Sequence, residues 1–281
     1  MNTSSWEPKA VPYQRWFFKL NATPLALLVG WTYAREGTSR VQISIQSVTH
    51  PELIQTETTI HPRPGGISTT RTEFSPLHTR GDVAHITWEF EITHVHAVLD
   101  PVAALPALIR VLPVSTRILS IPAARFRGRL TYKGRSWEGE AWGSLAHYWG
   151  RSRPPHWFWL NSVLDGGKAF VEVLISELPW GRLPWPRGRM GYFWLRQRTQ
   201  EYLWFHPFTG RVHIHGLPDQ PLVRATPWHG KGFRVLGRTH PKTWQKLDGD
   251  IINSLTGEVH VPGVGDAYGV AAIEWRRPPV Y

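Results

Sequence analysis

Proline and glycine interrupt this chain so often that little room is left for long helices. The 281 residues include 24 prolines and 25 glycines, which is about one residue in six. Proline breaks a helix interior and glycine weakens it, whereas a strand fits between two such interruptions. The spacing therefore predicts many short strands joined by turns, as in an antiparallel sandwich or barrel.

The predicted strands follow apolar and aromatic runs between these turns. The clearest alternation, ITWEFEI at residues 86–92, puts apolar side chains inward and Glu89 and Glu91 outward. The one helix candidate is residues 100–111, which its prolines keep short. Strands are expected at residues 16–20, 25–33, 40–48, 54–60, 83–94, 118–121, 125–133, 158–163, 169–176, 190–198, 201–205, 211–215, 233–238, 244–247 and 270–275.

A change in the strand pattern between about residues 111 and 124 predicts a domain boundary. We place one β domain at residues 1–115 and a second at residues 116–281. Each part has the size of one small barrel or lipocalin-like sheet.

The distribution of charge and the absence of cysteine exclude several classes of function. The net charge of +11 comes mostly from scattered arginines, and no basic run or motif predicts nucleic-acid binding. Contact with an anionic membrane surface or an acidic partner stays open, as does the oligomeric state. A chain without cysteine has no disulfide, catalytic thiol or thiolate metal site. The start MNTSSWEPKAVPYQRW lacks a signal-peptide core and no run has about 18 apolar residues, so we expect a soluble, cytoplasmic protein.

Four tryptophans are concentrated in residues 138–163, EGEAWGSLAHYWGRSRPPHWFWLNSV. Alternation in a strand puts Trp157, Trp159 and Asn161 on one face, and His147 and Trp149 share a face in the preceding strand. If the two strands pair as a hairpin around the prolines, they form a wall of indole rings. Such a wall suits an apolar or cationic guest, but it suits a plain β core equally well, and composition alone favours the core.

The same stretch resembles the signature of the tocopherol cyclase family. Residues 143–162, GSLAHYWGRSRPPHWFWLNS, are similar to the family's WGRS followed by W-x-W, and residues 13–19, YQRWFFK, look like its opening motif. Residues 74–76 and the closing GVAAIE at residues 269–274 are similar to weaker landmarks in the same order. The broader group with this fold resembles carotenoid hydratases and lipocalin-like Diels–Alderases, in which a DHxWG motif is common and His147 falls on its histidine.

The resemblance implies two lipocalin-like β domains packed together around an apolar pocket. It also implies a cyclisation in which an alkene is protonated and a phenol oxygen captures the resulting cation. Such chemistry needs a general acid, exclusion of water and aromatic faces that stabilise the cation. Ala146 and Tyr148 replace acidic positions of the family motifs, and Gln14 and Arg15 replace the opening Glu and Gly, so the usual acids are missing.

His147 is the first candidate for the proton donor because an imidazole is a usable acid near neutral pH. Tyr148 is the second catalytic candidate, Asp165 and Glu140 are weaker ones, and a purely structural His147 is equally consistent with the sequence. Arg151 is expected to be structural or to fix the polar head of a ligand. The predicted substrate-binding residues are Trp16, Trp142, Trp149, Trp157, Trp159, Asn161 and Trp194.

Two further features have alternative interpretations. His94 with His96 and His213 with His215 each project two imidazoles from one strand face and would hold a metal if the strands met, but chance pairing is the simpler interpretation among 14 histidines. The loop LPWGRLPWPRG at residues 178–188 is either a lid that carries Trp180 and Trp185 or a plain surface loop.

Two functions from different classes follow. The first is an enzyme that binds a large apolar prenylated or polyene substrate and catalyses its acid-promoted cyclisation, without a cofactor or metal. The second is a non-catalytic lipocalin-like carrier of a hydrophobic small molecule. Loss of the family's carboxylates favours the carrier, and the retained tryptophans favour a ligand pocket in both cases.

Overall fold

The fold is all-β, as the sequence predicted. The computed structural model describes residues 6, 9–22, 25–34, 39–47, 51–63, 65–104, 116–151, 156–177, 189–216, 220–247 and 251–276. Two antiparallel sheets form two lipocalin-like units. Helical structure in the described ranges is limited to α1 (Pro101–Ala104) and short 3-10 turns such as Asp165–Gly167 and Pro241–Thr243. No helix in this part of the chain has the length and apolar character needed to cross a membrane.

The first sheet is formed by the chain up to Gly150, and the strands that come first and last in the sequence lie side by side in it. Its order is β4–β3–β2–β1–β11–β10–β9–β8–β7–β6–β5, so every pair except β1 with β11 joins neighbours in the chain. The strands are β1 (Tyr13–Ala22), β2 (Leu25–Ala34), β3 (Arg40–Ser47), β4 (Pro51–Glu57), β5 (His61–Arg63), β6 (Gly66–Ser68), β7 (Thr72–Phe74), β8 (His78–Val83), β9 (Ile86–Val95), β10 (Thr116–Tyr132) and β11 (Arg135–Gly150).

The second sheet repeats this plan, because its first and last strands also pair. Its order is β15–β14–β13–β12–β21–β20–β18–β17–β16, with β19 paired to β20 outside this path. The strands are β12 (Trp157–Leu164), β13 (Ala169–Glu177), β14 (Arg189–Gln197), β15 (Gln200–His206), β16 (Gly210–His215), β17 (Leu222–Pro227), β18 (Phe233–Arg238), β19 (Gln245–Leu247), β20 (Ile251–Val261) and β21 (Gly265–Arg276).

The tryptophan-rich stretch crosses from one sheet to the other. β11 pairs with β1 and β10, and β12 pairs with β13 and β21. The predicted hairpin is therefore wrong, because both edges of each strand are already taken within its own sheet. The change of sheet falls between Gly150 and Trp157, so it does not coincide with the predicted domain boundary at residues 115/116. β10 and β11, which lie after that boundary, belong to the first sheet.

Alternation of apolar and polar residues correctly predicted burial in β9, a strand with one face toward water. In β9, Ile86, Trp88 and Phe90 are buried and Glu89 and Glu91 are exposed, which confirms the predicted alternation.

Two other predictions need adjustment. The strands predicted at residues 118–121 and 125–133 form one long β10 with a register shift between Ile121 and Ala124. Pro122 lies at this irregularity and has no N–H for the ladder. Only residues 101–104 of the predicted helix are helical, and residues 105–111 lie outside the described part of the chain.

Each sheet has its own apolar core, and a third cluster lies where the sheets pack together. Phe18 on β1 belongs to the core of the first sheet, whereas its neighbour Phe17 belongs to the cluster between the sheets. Trp159 on β12 meets Phe17 there, and Leu160 on the opposite face of β12 lies in the core of the second sheet. β1 is therefore buried on both faces.

Polar groups also join the two sheets. Asn161 donates a hydrogen bond to the Pro122 carbonyl oxygen at 2.9 Å, and the Leu255 N–H donates one to Gln46 at 2.7 Å. The Ser44 hydroxyl hydrogen-bonds to the Gln245 side chain. Buried polar groups are tolerated when they find such partners, so these contacts fix how the sheets pack.

Replacing Phe18 by alanine should strongly destabilise the protein. The Phe18 ring is fully buried, with its centroid about 6 Å from those of Trp31, Trp88 and Phe126. Loss of the ring leaves a cavity, and we expect the free energy of unfolding to fall by about 3–5 kcal/mol. Urea unfolding measures the change. Leu77→Ala, at a side chain that is 55% exposed, is the control and should change stability by less than about 0.5 kcal/mol. Equal effects of both substitutions would contradict this assignment of the core.

Candidate active site

A cavity lies between the two sheets at the end where β1 begins. Its volume is about 90 Å³, enough for several water molecules or for one end of a larger molecule. Both sheets contribute to its walls, so the cavity exists only when the sheets are packed together. Its lining residues are Tyr13, Arg15, Phe17, Leu28, Arg117, Ile118, Tyr148, Trp157, Trp159, Leu174, Ser176 and Glu274.

Most of the wall is apolar and aromatic. The Phe17 ring lies 5.4 Å from Trp159 in an edge-to-face arrangement and 5.7 Å from Tyr148 in a stacked one, measured between ring centroids. Trp157 and Trp159 share one face of β12, as the alternation predicted, and both face the cavity. Such a surface suits a flat apolar ligand and offers ring faces to a positive charge.

Each of the two cavity tryptophans is held by a buried carboxylate. The Trp157 indole N–H donates to Glu274 at 2.9 Å, and the second oxygen of Glu274 accepts from Asn253 at 3.0 Å. The Trp159 indole N–H donates to Glu172 at 3.1 Å. Glu274 itself lines the cavity, whereas Glu172 is not among the lining residues. The carboxylates therefore fix the orientation of both rings.

Tyr148 presents a phenol to the cavity from the first sheet. Its neighbours across the strands are Arg15 on β1 and Ile118 on β10, and both line the same space. Burial raises the pKa of Tyr148 well above its ordinary value, and the negative charges of Glu172 and Glu274 raise it further. The phenol thus stays protonated at neutral pH and serves as a hydrogen-bond donor.

Arg15 brings a guanidinium group into the same cavity. The residue is 8% exposed, and its Nη2 donates a long hydrogen bond of 3.4 Å to Gln42. Its buried Nε has no hydrogen-bond partner among the residues that the structure describes. Gly30 on β2 makes room for the group, because a Cβ there would lie 3.3 Å from Arg15 Nε and Nη2. A buried guanidinium with an unused donor is suited to bind an oxygen atom of a ligand.

Glu172 is the centre of a buried polar cluster behind the cavity. It is 1% exposed and accepts hydrogen bonds from the Ser120 hydroxyl, the Tyr192 hydroxyl at 2.9 Å and the Trp159 indole. Burial raises the pKa of Glu172 above its ordinary value, and these donors offset part of that rise. The cluster joins β10 of the first sheet to β13 and β14 of the second.

The structure separates the two residues that the sequence proposed as catalytic. Tyr148 faces the cavity, whereas His147 points to the opposite face of β11 and is fully buried in the core of the first sheet. The imidazole is stacked on Trp16 with 4.6 Å between ring centroids, and Trp149 lies at 4.8 Å. His147, Trp16 and Trp149 are therefore not part of the cavity wall.

The other predicted binding residues also lie outside the cavity. Trp194 packs against Phe170 at 5.0 Å and donates to Glu201, and Asn161 is the buried link to Pro122 described above. Trp142 lines a separate opening together with the weaker acid candidates Asp165 and Glu140. Of the predicted wall, Trp157 and Trp159 are the tryptophans that come together at the cavity.

The histidine pairs lie in different sheets. His94 and His96 approach to 4.8 Å between ring centroids, and His213 and His215 to 6.3 Å. Within the described ranges, no three His, Cys, Asp or Glu side chains are grouped so as to hold a metal ion. The loop that carries Trp180 and Trp185, and Ser152 to Pro155 of the central motif, lie outside the described residues.

Three charged residues of the site were not predicted. Arg15 and Glu274 were noticed only within motifs of the resemblance, and Glu172 was missed. A signal for Glu172 was present in the sequence AFVEVLISE, where one carboxylate interrupts an apolar strand. A charge inside an otherwise apolar strand indicates burial with partners rather than exposure.

The fold and this site define a two-sheet, lipocalin-like β protein with a cavity between its sheets. No protein-family model and no curated protein sequence matches the chain. Solved structures do match its fold. The chain is similar to kievitone hydratase from Nectria haematococca, with a TM-score of 0.64 and 9% identity over 98% of this chain and 91% of that one.

Three more solved structures show the same fold. CghA matches with a TM-score of 0.64 and 12% identity over 94% of this chain and 88% of that one, and CghA with Sch210972 matches with a TM-score of 0.62. A candidate AttH protein from Nitrosomonas europaea matches with a TM-score of 0.60 and 12% identity over 98% of this chain and 96% of that one. At 9–12% identity the likeness shows the fold alone, so membership of the tocopherol cyclase family stays a prediction.

Replacing Glu172 by glutamine should change how stability depends on pH. Because burial raises the pKa of Glu172 in the folded protein, the unfolded chain loses the Glu172 proton first, as the pH passes about 4.5. The contribution of Glu172 to the free energy of unfolding then falls as the pH rises. It stops falling once the pH exceeds the pKa of Glu172 in the folded protein. Glu172→Gln removes this fall. Urea unfolding at several pH values above 4.5 should show the variant gaining stability relative to the wild type as pH rises. The exposed Glu138→Gln is the control, and a variant-to-wild-type difference that does not change with pH would contradict the prediction.

Proposed function

We propose that the chain is an enzyme that binds an unsaturated apolar molecule bearing an oxygen substituent and catalyses an acid-promoted cyclisation of it. The observation that carries the proposal is the combination in one cavity of two oriented indole rings with Glu274, Tyr148 and Arg15. Apolar walls bind the hydrocarbon part, and the polar side chains supply proton transfer and hold the oxygen.

The proposed reaction uses the form of the enzyme in which the Glu274 carboxyl group holds a proton, and it begins with that proton moving to an alkene carbon. The resulting tertiary cation meets the faces of Trp157 and Trp159, which stabilise a desolvated cation by about 2 kcal/mol without reacting with it. The hydroxyl oxygen of the same molecule then bonds to the cationic carbon and returns its proton to Glu274. Atoms and charge balance, and the carboxyl group ends as it began.

Arg15 and Tyr148 are suited to position the oxygen of the substrate. The guanidinium has a donor that no group of the described residues uses, and the phenol keeps its proton because burial raises its pKa. Arg15 on β1 and Tyr148 on β11 are direct neighbours across the two strands, so both can donate hydrogen bonds to the same substrate oxygen. A substrate oxygen held there faces the indoles of the second sheet, where the cation would form.

The size of the cavity limits what it encloses. About 90 Å³ accommodates the reacting end of a prenylated or polyene molecule, and the rest must extend past the mouth. Arg117 is exposed, and Tyr13 is half-buried, so they lie where a ligand meets solvent. This arrangement keeps bulk water away from the reacting atoms while a long tail stays outside.

Variants of the two proton-bearing cavity residues test the proposal. Prenyl quinols and polyenols that stabilise the protein in a thermal-shift screen are incubated with it, and products are identified by chromatography and mass spectrometry. Glu274→Gln should lower turnover by about 10²–10⁴-fold while the thermal shift by the ligand persists. Tyr148→Phe should raise KM more than it lowers kcat, since it removes a donor to the oxygen. Glu258→Gln, at a half-exposed carboxylate of β20, is the matched control and should leave turnover unchanged.

The possible outcomes separate the two functional classes. Product from the wild type that is lost in Glu274→Gln supports the enzyme. A thermal shift without product from any ligand contradicts it and supports the carrier. Turnover that survives in Glu274→Gln but disappears in His147→Ala would show that His147, and not Glu274, is the proton donor. Circular dichroism must show that the His147→Ala variant is folded.

A further inference from the structure

The outer face of three strands of the second sheet carries an unusual concentration of basic side chains. In β16, β17 and β18 the inward residues, such as Val212, Val223 and Val235, are buried, and the alternate residues are exposed. We define the basic face by six exposed outward residues: Arg211, His213, Arg224, Trp228, Arg234 and Leu236.

The strand register places like charges side by side on this face. His213 pairs with Arg224, and Arg224 pairs with Arg234 on its other side, so three basic side chains form one row across three strands. Like charges directly opposite each other destabilise a sheet. The protein alone gains nothing from this row, which indicates that an anionic partner compensates for the repulsion.

The arginines of the basic face differ from those of β10 in their ion pairs. Among the described residues, no carboxylate forms an ion pair with Arg211, Arg224 or Arg234, and the pair of Arg238 with Glu258 at 3.5 Å lies at the margin toward β20. Arginines on the outer face of β10 differ. Arg127 is paired with Glu140 at 2.6 Å and Arg129 with Glu89 at 2.8 Å. The net charge of +11 therefore has an uneven distribution.

Apolar side chains stand among these cations. Trp228 is 49% exposed, its indole N–H is held by the Phe208 carbonyl oxygen at 2.8 Å, and the Arg211 guanidinium lies 5.1 Å from its ring centroid. Leu236 is 43% exposed in the row next to the arginines, opposite Leu222. Tryptophan with arginine at an exposed edge is typical of the boundary between lipid headgroups and acyl chains.

We propose that the basic face docks the protein onto the surface of a bilayer that contains anionic lipid. The row of His213, Arg224 and Arg234 lies over the headgroup phosphates and carboxylates. The Trp228 and Leu236 side chains enter the boundary of the acyl region. The proposal does not depend on the proposed reaction, although a bilayer is also where an apolar molecule accumulates.

A bilayer fits the face better than a nucleic acid does. Single strands are bound in basic grooves by stacked aromatic rings, and duplexes by an element that enters a groove. The basic face is an open sheet with one aromatic ring, which is already covered on one side by Arg211. The exposed Leu236 has no role against phosphates alone, whereas it gains free energy in the acyl boundary.

Co-sedimentation with vesicles tests the proposal. The full chain should partition onto phosphatidylcholine vesicles with about 30% phosphatidylserine and not onto pure phosphatidylcholine, and 1 M NaCl should weaken the binding because it shortens the screening length to about 3 Å. Each basic side chain at such a surface contributes about fivefold, so R224Q/R234Q should lower partitioning by about thirtyfold. Trp228→Ala should remove most of the binding that remains at high salt.

The matched control removes the same charge elsewhere. R127Q/R129Q neutralises two exposed arginines on one face of β10, so the net charge falls equally. Partitioning that is unchanged in this variant and lost in R224Q/R234Q supports the basic face. An equal loss in both variants, no binding of the wild type to anionic vesicles, or tighter binding to a DNA oligonucleotide that R224Q/R234Q abolishes would each overturn the proposal. Circular dichroism checks that all variants are folded.

Discussion

The packing of the two sheets against each other is the contact on which the rest of this structure depends. β1 is buried on both faces because one face meets the core of its own sheet and the other meets the second sheet. Apolar contacts such as that between Phe17 and Trp159 supply much of the burial, and hydrogen bonds such as that from Asn161 to Pro122 fix the register. Without this contact neither the cavity nor its buried carboxylates would exist.

The same contact explains why buried charged side chains lie between the sheets. The core of each sheet is almost wholly apolar, whereas the zone between them holds Arg15, Glu172 and Glu274. Low polarity strengthens hydrogen bonds and raises the pKa of groups such as Glu172 and Tyr148. Acid–base groups in a water-poor space are what a proton-driven reaction of an apolar molecule requires.

The two proposed functional surfaces lie on different parts of the second sheet and treat their polar groups in opposite ways. At the cavity, β12 presents two indoles whose N–H groups are paired with carboxylates of β13 and β21, so these polar atoms are satisfied within the protein. On β16–β18, Arg211, Arg224 and Arg234 face outward and form no ion pair with a carboxylate of the described residues. The first arrangement leaves an apolar wall around a cavity, and the second leaves positive charge facing outward.

The sequence by itself determined the all-β class, because frequent proline and glycine leave room only for short strands, and it determined alternation in strands such as β9, where one face meets water. It also marked Tyr148, Trp157 and Trp159, which line the cavity. Only the tertiary structure decided that β11 and β12 belong to different sheets. As a result, His147 and Trp149 face the core of the first sheet, and Tyr148 lies beside Arg15 at the cavity. The physical reason is that strand pairing joins residues far apart in the chain. The apolar strand around Glu172 indicates burial, but it does not show that the hydrogen-bond partners of Glu172 come from both sheets.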